Sequence, residues 1–382
     1  MNICFITDPL VTTMGAVRPA LLLAREFFKS GHDVAFITPR FDGKIEKALQ
    51  VESVHLKCVG PRFSFIPSLP TLDAWTRCLI RHRATTEIRN SDVIINTSSC
   101  IIACANVYYA QGLMTRALDD MFLGMPLHYK CTYQLLKTSL KALESRLVKR
   151  VRDLSKLFVA NSEFCASMYE EWDIKVDAIV NPPLDCSLFK PVTSKPTADY
   201  VLTHFGVYGK EGNFSSIKAI ADAGVIIKAF GNFSSVPKPL LRHSNIHFLG
   251  KVSDGELVNL YSNALYTLFA FNHEPFGYIP VESMACGTPV LTYNKQGPSE
   301  TVTIGKTGWL ANTDMELFNL GADIWKKGYD SNIRSNCRGR ASMFDVKKIS
   351  REWIKVLNVK SLSMSTFKNL GECQFRESWA RA

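Results

Sequence analysis

The feature that most constrains the fold is a change of hydrophobic period within the first forty residues. Ile3–Ile6 and Val34–Ile37 are short apolar runs typical of buried strands, whereas Ala16–Phe28 has apolar residues at helical spacing. A strand, a helix and a second strand in this order predict a βαβ unit with parallel strands and a right-handed crossover. The first half of the chain is therefore predicted to be α/β. Further strand signals follow at Asp92–Asn96, Val107–Tyr109, Leu157–Ala160 and Ala178–Val180.

A segment with the composition of a linker divides the chain. Pro191–Thr197 combines two prolines with small polar residues, and the alternation of strands and helices restarts after it at Tyr200–Phe205. A chain of 382 residues is also too long for one compact core. We therefore predict two doubly wound Rossmann-like domains that face a cleft at the carboxyl ends of their strands, where ligands bind. The predicted boundaries are 1–190 for the N-terminal domain, 191–199 for the linker, 200–345 for the second domain and 346–382 for C-terminal helices that pack back on the first.

Net charge, cysteine content and the length of the apolar stretches indicate which classes of partner and which cellular compartment suit the chain. A net charge of +10 favours an anionic partner, which leaves nucleic acid, a phosphorylated ligand and an acidic membrane face open. Eleven cysteines, with no CxxC pair and no zinc-like spacing, predict neither structural disulfides nor a metal site. No apolar stretch approaches the roughly 20 residues that a membrane-spanning helix needs, and the N-terminus is interpreted as a first strand rather than a signal peptide. We expect a cytoplasmic protein.

The densest chemical signal lies between residues 272 and 290. Two carboxylates, Glu274 and Glu282, follow a predicted strand at Tyr266–Phe271, and Gly277 stands where a loop would turn into a helix. A helix beginning near Tyr278 would present free backbone N–H groups to an anion, and Glu282 could accept hydrogen bonds from the hydroxyls of a ribose. Taken singly, each glutamate is more commonly a helix cap or a solvated residue. Together they predict a site for a sugar nucleotide.

A second segment could contribute to the same site. Asn294–Val302 contains a Gly-Pro turn that leads into a short helix, so it offers another amide-rich helix start to a phosphate. An ordinary surface loop is the alternative for this segment.

These motifs resemble the donor site of the family 4 retaining glycosyltransferases, which have the GT-B fold. The resemblance is most specific in EPFGYIPVE at Glu274–Glu282, with SMACGTPVL and GPSETV…GKTGWL after it. It extends to VANSEF at Val159–Phe164, IVNPPLDCSLFKP at Ile179–Pro191 and FLGKVSDGEL at Phe248–Leu257, and so covers nearly the whole chain. It implies retaining transfer of a sugar from a nucleotide sugar, such as a UDP- or GDP-hexose, to a glycan or lipid-linked acceptor, with no metal and no other cofactor.

The resemblance also implies roles for individual residues. Glu274 would contact hydroxyls of the transferred sugar, and Glu282 would bind the ribose. The remaining donor-binding positions implied are the amides near Phe276, Gly277 and Tyr278 for the sugar and phosphates, and the backbone around Lys251 and Val252 for the base.

This chain departs from the family pattern in three places. Gly15 matches the N-terminal loop that approaches the diphosphate, although the family usually has two glycines there. Gln111 stands where many relatives carry histidine, so it could contact the sugar but could not act as a general base. Val207 occupies the apparent position of a diphosphate-binding arginine. Lys210 is the candidate catalytic cation that would stabilise the leaving group if the loop is shifted by a residue or two, and a plain surface lysine is the alternative.

Two basic stretches precede the linker. They are either solvated helix faces or an attachment to an anionic membrane surface, where each Lys or Arg contributes about 1 kcal/mol. Nucleic acid is disfavoured because neither a recognised binding motif nor an aromatic stacking platform accompanies the charge. The stretches comprise Arg77, Arg81, Arg83 and Arg89, and then Lys137, Lys141, Arg146, Lys149, Arg150, Arg152 and Lys156.

Several other functions were weighed against this one. The chain has no GxGxxG after its first strand and no GxxxxGK[ST] run, so a dinucleotide-dependent dehydrogenase and a P-loop ATPase are set aside. A spaced Asp-x-Asp metal motif is lacking too, and Asp119-Asp120 is interpreted as part of a solvated loop. Two alternatives stay open: a sugar-nucleotide epimerase, and a non-catalytic subunit that binds a sugar nucleotide, which the missing arginine would suit.

Overall fold

A computed structural model of the chain describes residues 1–13, 15–51, 55–58, 91–99, 101–125, 127–194, 196–206, 213–234 and 236–358. The strands in these ranges are β1 (Asn2–Ile6), β2 (Asp33–Thr38), β3 (His55–Cys58), β4 (Val93–Asn96), β5 (Ala105–Ala110), β6 (Ser155–Ala160), β7 (Ala178–Ile179), β8 (Val201–Phe205), β9 (Ile227–Gly231), β10 (Ile246–Gly250), β11 (Thr267–Phe269), β12 (Val290–Tyr293) and β13 (Gly308–Ala311).

Helices follow most of these strands. They are α1 (Arg18–Lys29), α2 (Gly43–Val51), α3 (Met114–Met121), α4 (Leu127–Asp153), α5 (Glu163–Glu170), α6 (Phe214–Asp222), α7 (Lys238–Leu241), α8 (Asp254–Asn263), α9 (Tyr278–Ala285), α10 (Gln296–Thr301), α11 (Asp314–Lys327), α12 (Asn332–Ala341) and α13 (Val346–Leu357). None of the helices described here is both long enough and apolar enough to cross a bilayer.

The strands form two parallel sheets. The first has the order β3-β2-β1-β4-β5-β6-β7, and the second has the order β10-β9-β8-β11-β12-β13. Each order reverses once, between β1 and β4 in the first sheet and between β8 and β11 in the second, which is the doubly wound arrangement. The predicted α/β fold class is thus confirmed, and the strand ends lie within two residues of the predicted ones.

Contacts divide the chain into two compact units. The first comprises Met1–Tyr108, Val151–Leu157 and the residues from Ser350 onward, and the second comprises Tyr109–Arg150 and Phe158–Ile349. The boundaries predicted from the sequence, with a linker at 191–199, stay a prediction.

Aromatic and aliphatic side chains of β1, β2 and β4 fill the core of the first unit. Phe5 stacks on Phe36 with 5.5 Å between ring centroids and lies 6.2 Å from Phe27 of α1. Trp353 of α13 is fully buried, and Trp379 lies outside the described residues. Alternating apolar residues of α1 and β1 therefore pack against each other as their sequence periods require.

The second unit has a larger core that is built around β8, β11 and β12. Its strands are apolar on both faces, which is typical of a parallel sheet covered by helices on each side. Leu202, Leu268 and Leu291 from the three strands are all fully buried. This core fixes the carboxyl ends of its strands, from which the loops of the candidate site begin.

Glu144 of α4 closes the start of α3. Its carboxylate accepts hydrogen bonds from the backbone N–H of Met114 at 2.6 Å, and from the N–H and hydroxyl of Thr115 at 2.9 Å and 2.5 Å. A helix start leaves N–H groups without intrahelical partners, and a carboxylate satisfies both those groups and the helix dipole. Burial raises the pKa of Glu144, although these hydrogen bonds oppose the rise. Glu144, which lies within the second basic stretch, is therefore a helix cap.

Asp119 and Asp120 correct the sequence interpretation, because both lie in α3 rather than in a solvated loop. Asp119 accepts a hydrogen bond from Tyr133 at 2.9 Å and forms ion pairs with Lys137 at 2.7 Å and Lys141 at 2.5 Å. Burial alone would raise the pKa of Asp119, but its hydrogen bonds from these two lysines hold the pKa below its usual value. Two of the basic residues are thus neutralised within the unit.

Replacing the cap should destabilise the second unit. Glu144→Ala removes three hydrogen bonds from a buried helix start, so we expect the free energy of unfolding to fall by about 1–3 kcal/mol. Urea unfolding measures it, with Gln134→Ala on the exposed side of the same helix as the control. A loss below about 0.5 kcal/mol, within the range of ordinary surface substitutions, would contradict this role for Glu144.

Candidate active site

Glu274 lies in the loop that follows β11, and Glu282 lies in helix α9. The chain leaves the sheet after β11 and enters α9 at Gly277, which caps the helix with φ +96° and no side chain. A left-handed φ of this size favours glycine, and a Cβ here would lie 3.1 Å from Pro298. Pro280 is tolerated because it falls in the first turn, where N–H groups have no partner within the helix. The predicted helix start near Tyr278 is where the structure has it.

The backbone of Glu274 is held on both sides by the start of α10. Its N–H donates to Oε1 of Gln296 at 2.7 Å, and its carbonyl accepts from the N–H of Gly297 at 3.1 Å. Gly297 packs so closely that a Cβ there would collide with the carbonyl of Pro275 and with Cα of Phe276. The loop at Asn294–Val302, which the sequence left as either a phosphate site or an ordinary loop, therefore fixes the first glutamate in place.

A polar cluster lies beside this contact. Oδ2 of Asp120 is 2.9 Å from Nδ1 of His273 and accepts a hydrogen bond from Nε2 of Gln296 at 3.0 Å. Oδ1 of the same carboxylate is 3.3 Å from Nε of Arg116. The His273 side chain is only 3% exposed, so its ring is held by these contacts rather than by solvent. Asp120 therefore links α3 to the residues on each side of the candidate loop.

The VANSEF segment meets the same loop. The Ser162 hydroxyl caps α5, where it accepts from the N–H of Cys165 at 2.9 Å, and it donates to the carbonyl of Pro275 at 2.6 Å. Asn161 donates from Nδ2 to Oε1 of Gln111 at 3.3 Å. Gln111 is thus connected to the candidate loop through its neighbours.

Glu300 from the GPSETV segment also binds the start of α5. Its carboxylate accepts from the N–H of Phe164 at 2.7 Å and from the preceding N–H at 2.9 Å. Burial raises the pKa of Glu300, and these two hydrogen bonds oppose the rise. The two segments that the sequence analysis quoted separately therefore touch each other, and Glu300 serves as a helix cap.

Glu282 lies in the second turn of α9 and is almost fully buried. The Tyr261 hydroxyl of α8 donates to its Oε2 at 3.0 Å. A buried carboxylate needs such partners, since an unpaired charge in an apolar interior is costly. The ribose contact expected of Glu282 stays a prediction, and in this structure Tyr261 is one of its hydrogen-bond partners.

The other predicted donor-binding residues of the second unit differ in their exposure. Phe276 is buried and meets the rings of Tyr278 and Phe344 edge-on at 5.5 Å and 5.6 Å, and the Tyr278 hydroxyl donates to the carbonyl of Pro183 at 3.1 Å. Lys251 is exposed and Val252 is half-buried just before α8. Each of these roles stays a prediction.

Gly15 belongs to the first compact unit. It has φ +71° and begins a short turn of 3₁₀ helix at Gly15–Val17, directly before α1. Lys210 and Val207, which the sequence analysis weighed for the diphosphate, lie outside the described residues.

Two residues of this site were missed by the sequence analysis. Asp120 was considered only as half of a metal motif, and Gln296 only as part of a turn. Neither residue type is distinctive alone, and the two are far apart in the chain. The one local signal is the Gly-Pro pair after Gln296, which marks a tight turn but not the direction of the side chain before it.

Comparison with known proteins adds independent findings. Residues 239–339 match the family model described as glycosyl transferases group 1. This range contains the two candidate glutamates, Gln296 and Glu300. The HepE protein of Anabaena, solved with UDP and glucose, has 18% sequence identity and a TM-score of 0.67, and the match covers 94% of this chain and 99% of that chain.

Two curated relatives match shorter segments. The alpha-1,3/1,6-mannosyltransferase of Eremothecium gossypii is 32% identical over 113 residues, which is 26% of this chain and 21% of that protein. A probable sucrose-phosphate synthase of Thermosipho melanesiensis is 25% identical over 180 residues, which is 45% of this chain and 41% of that protein. The chain thus spans about a fifth of the length of the first relative and about two fifths of the second.

The predicted resemblance to the family 4 glycosyltransferases is confirmed by these findings together. The matched segment carries the candidate glutamates, the relatives are sugar-transferring enzymes by name, and the solved neighbour has the same fold of two parallel sheets. The chain therefore has the fold of this solved neighbour, and over residues 239–339 it is similar to the group 1 glycosyltransferases.

Proposed function

We propose that the chain moves a hexose from a nucleotide sugar to a glycan or lipid-linked acceptor with retention of the donor's anomeric configuration and without a metal ion. The observation that carries this proposal is the pair Glu274 and Glu282 on one strand, loop and helix, with the backbone of Glu274 held on both sides by α10. The names of the relatives, a mannosyltransferase and a probable sucrose-phosphate synthase, support the same kind of chemistry.

The chemistry proposed for the donor is electrostatic. The backbone N–H groups that begin α9 would bind the donor's diphosphate or the sugar attached to that diphosphate. The positive end of the helix dipole would favour the negative charge of the diphosphate. Glu274 would accept hydrogen bonds from hydroxyls of the transferred sugar, and Glu282 from those of the ribose. Lys210 would offset the charge that develops on the leaving diphosphate, because such stabilisation is usually the largest catalytic contribution.

A second candidate function is a subunit that binds a sugar nucleotide without turning it over. The observation in its favour is Val207, which stands where the family carries a diphosphate-binding arginine. Product formation by the purified chain alone separates the enzyme from the binding subunit. Donor binding would raise the melting temperature of a binding subunit, but no product would form.

The paired glutamates give the first test. Glu282→Ala should weaken donor binding at least tenfold, because vicinal hydroxyls would lose a charged acceptor worth roughly 1.5–3 kcal/mol. Glu274→Gln keeps the size but removes the charge, so it should lower kcat more than it lowers donor affinity. Steady-state kinetics and calorimetric donor binding measure both effects, and Glu170→Gln at an exposed position of α5 is the control. Wild-type rates in both variants would refute the assignment of this motif to the donor site.

Metal removal and product stereochemistry give the second test of the proposed function. Within the described residues, no group of three or more His, Cys, Asp or Glu side chains is arranged to hold a metal ion. We expect transfer to continue at the same rate in excess chelator, and NMR of the product to report the donor's own anomeric configuration. A strict need for magnesium or manganese, or an inverted product, would contradict the proposed mechanism.

Helix α4 supports a membrane-presented acceptor. Leu127 and Leu135 lie on one face of it and are 77% and 83% exposed, and Leu123 in the preceding turn is 87% exposed. Large apolar side chains grouped on a surface mark an interaction site more often than single ones do. An apolar stripe beside basic residues is the pattern of a helix that lies on an anionic lipid bilayer.

Basic residues continue the same helix toward its C-terminus. Arg146, Lys149 and Arg150 are exposed, whereas Lys137 and Lys141 are already paired with Asp119. Lys149 follows Leu135 by about four helical turns and so returns to the leucine side. The three exposed residues are therefore the part of the second basic stretch that we propose contacts lipid headgroups, each worth about 1 kcal/mol. The first stretch, from Arg77 to Arg89, lies outside the described residues.

Vesicle flotation tests this arrangement. The wild-type chain should float with vesicles rich in phosphatidylserine at low salt. A triple variant, in which Gln replaces Arg146, Lys149 and Arg150, should bind vesicles less, mainly at low salt. At about 1 M salt, screening already suppresses the electrostatic part of vesicle binding. A double variant with Ser at Leu127 and Leu135 should bind less at both salt concentrations. The control is a double variant with Ser at Ile304 and Met315, which are exposed apolar residues elsewhere, and it should bind as the wild-type chain does. Equal flotation of all variants would point instead to a soluble acceptor.

A further inference from the structure

We propose that Gln296 is a positioning residue for Glu274. The inference rests on the proposed function, in which Glu274 contacts the transferred sugar, and adds to it a residue that determines where that carboxylate stands. Gln296 would not touch the substrate. It would act through the backbone of the loop that carries Glu274.

The backbone of Gln296 is strained. It has φ +57°, in the left-handed region that favours glycine, and among the described residues only Asp173 and Ala198 share this property without being glycine. A glycine would adopt this conformation at lower free energy. Strained backbone persists where other contacts hold it, and it concentrates at functional sites.

The side chain of Gln296 supplies those contacts. Its Oε1 accepts from the N–H of Glu274 at 2.7 Å, and its Nε2 donates to Oδ2 of Asp120 at 3.0 Å and to the carbonyl of Asn272 at 3.3 Å. A carboxamide offers an acceptor and donors at one end, and both are used here. Glycine would offer neither, and glutamate would offer no donor and would bring a second carboxylate to Asp120.

The partner of Gln296 is itself fixed. Asp120 is held by His273 and Arg116, so three consecutive loop residues are tied to one cluster: the carbonyl of Asn272, the ring of His273 and the N–H of Glu274. The cluster thus immobilises the backbone directly before the Glu274 side chain. A group that must meet a reacting sugar within a fraction of an ångström depends on such support.

Gln296→Gly separates positioning from stability, because it relieves the strained backbone while removing the side chain. Asp173→Gly is the matched control, since it relieves the same strain at an exposed position outside the cluster. We expect both variants to keep or raise Tm. Only Gln296→Gly should lower kcat, by tenfold or more, while donor KM changes less than twofold. Amide hydrogen exchange at Glu274 should quicken at least tenfold in that variant alone.

A second comparison tests whether the cluster acts as one unit. Asp120→Asn should also lower kcat, and the double variant with Gln296→Gly should lose much less than the product of the two single effects, because both remove the same support. Independent effects that multiply would overturn the proposal, as would a wild-type kcat or an equally protected Glu274 amide in Gln296→Gly. If the wild-type chain transfers no sugar at all, the proposed function fails, and the exchange rate of the Glu274 amide alone decides whether Gln296 holds the loop.

Discussion

The parallel pairing of β11 with β8 and β12 is the constraint on which the rest of the site depends. Thr267, Leu268 and Phe269 of β11 are in register with Val290, Leu291 and Thr292 of β12. Parallel strands end at the same edge of a sheet, so the loops that leave β11 and β12 emerge side by side. The loop that carries Glu274 and the turn that begins α10 are adjacent for this reason. Their hydrogen bonds are a consequence of the sheet rather than of any local preference.

Helix caps connect the surrounding segments to this edge. Glu300 caps α5 from α10, Ser162 caps the same helix and donates to the loop carbonyl of Pro275, and Glu144 caps α3 from α4. Glu300 and Glu144 satisfy orphan N–H groups of helices to which they do not belong, whereas Ser162 satisfies an N–H group of the helix that it begins. These polar capping side chains thus determine how the helices of the second unit are joined.

The cluster around Asp120 and the exposed face of α4 serve different requirements of the proposed reaction. Asp120 and Gln296 surround the loop with short hydrogen bonds and leave little freedom to the backbone of Glu274. The leucines of α4, by contrast, are exposed, and they present an apolar surface that nothing in the described chain covers. A rigid donor loop and an adaptable membrane face would suit an enzyme whose donor is soluble and whose acceptor is not.

The sequence alone determined the two α/β sheets, the helix start near Tyr278 and the resemblance to a glycosyltransferase family, because apolar periods, glycines and a compact motif are all local signals. It also located Glu274 and Glu282, which lie only eight positions apart. Tertiary structure decided which side chains surround them. Asp120 meets His273 and Gln296 across 153 and 176 positions, and no local pattern records a contact that arises from sheet topology. The same holds for Asp119, whose pairing with Lys137 and Lys141 depends on how α3 packs on α4, and for Glu282, whose burial beside Tyr261 follows from the packing of α9 on α8.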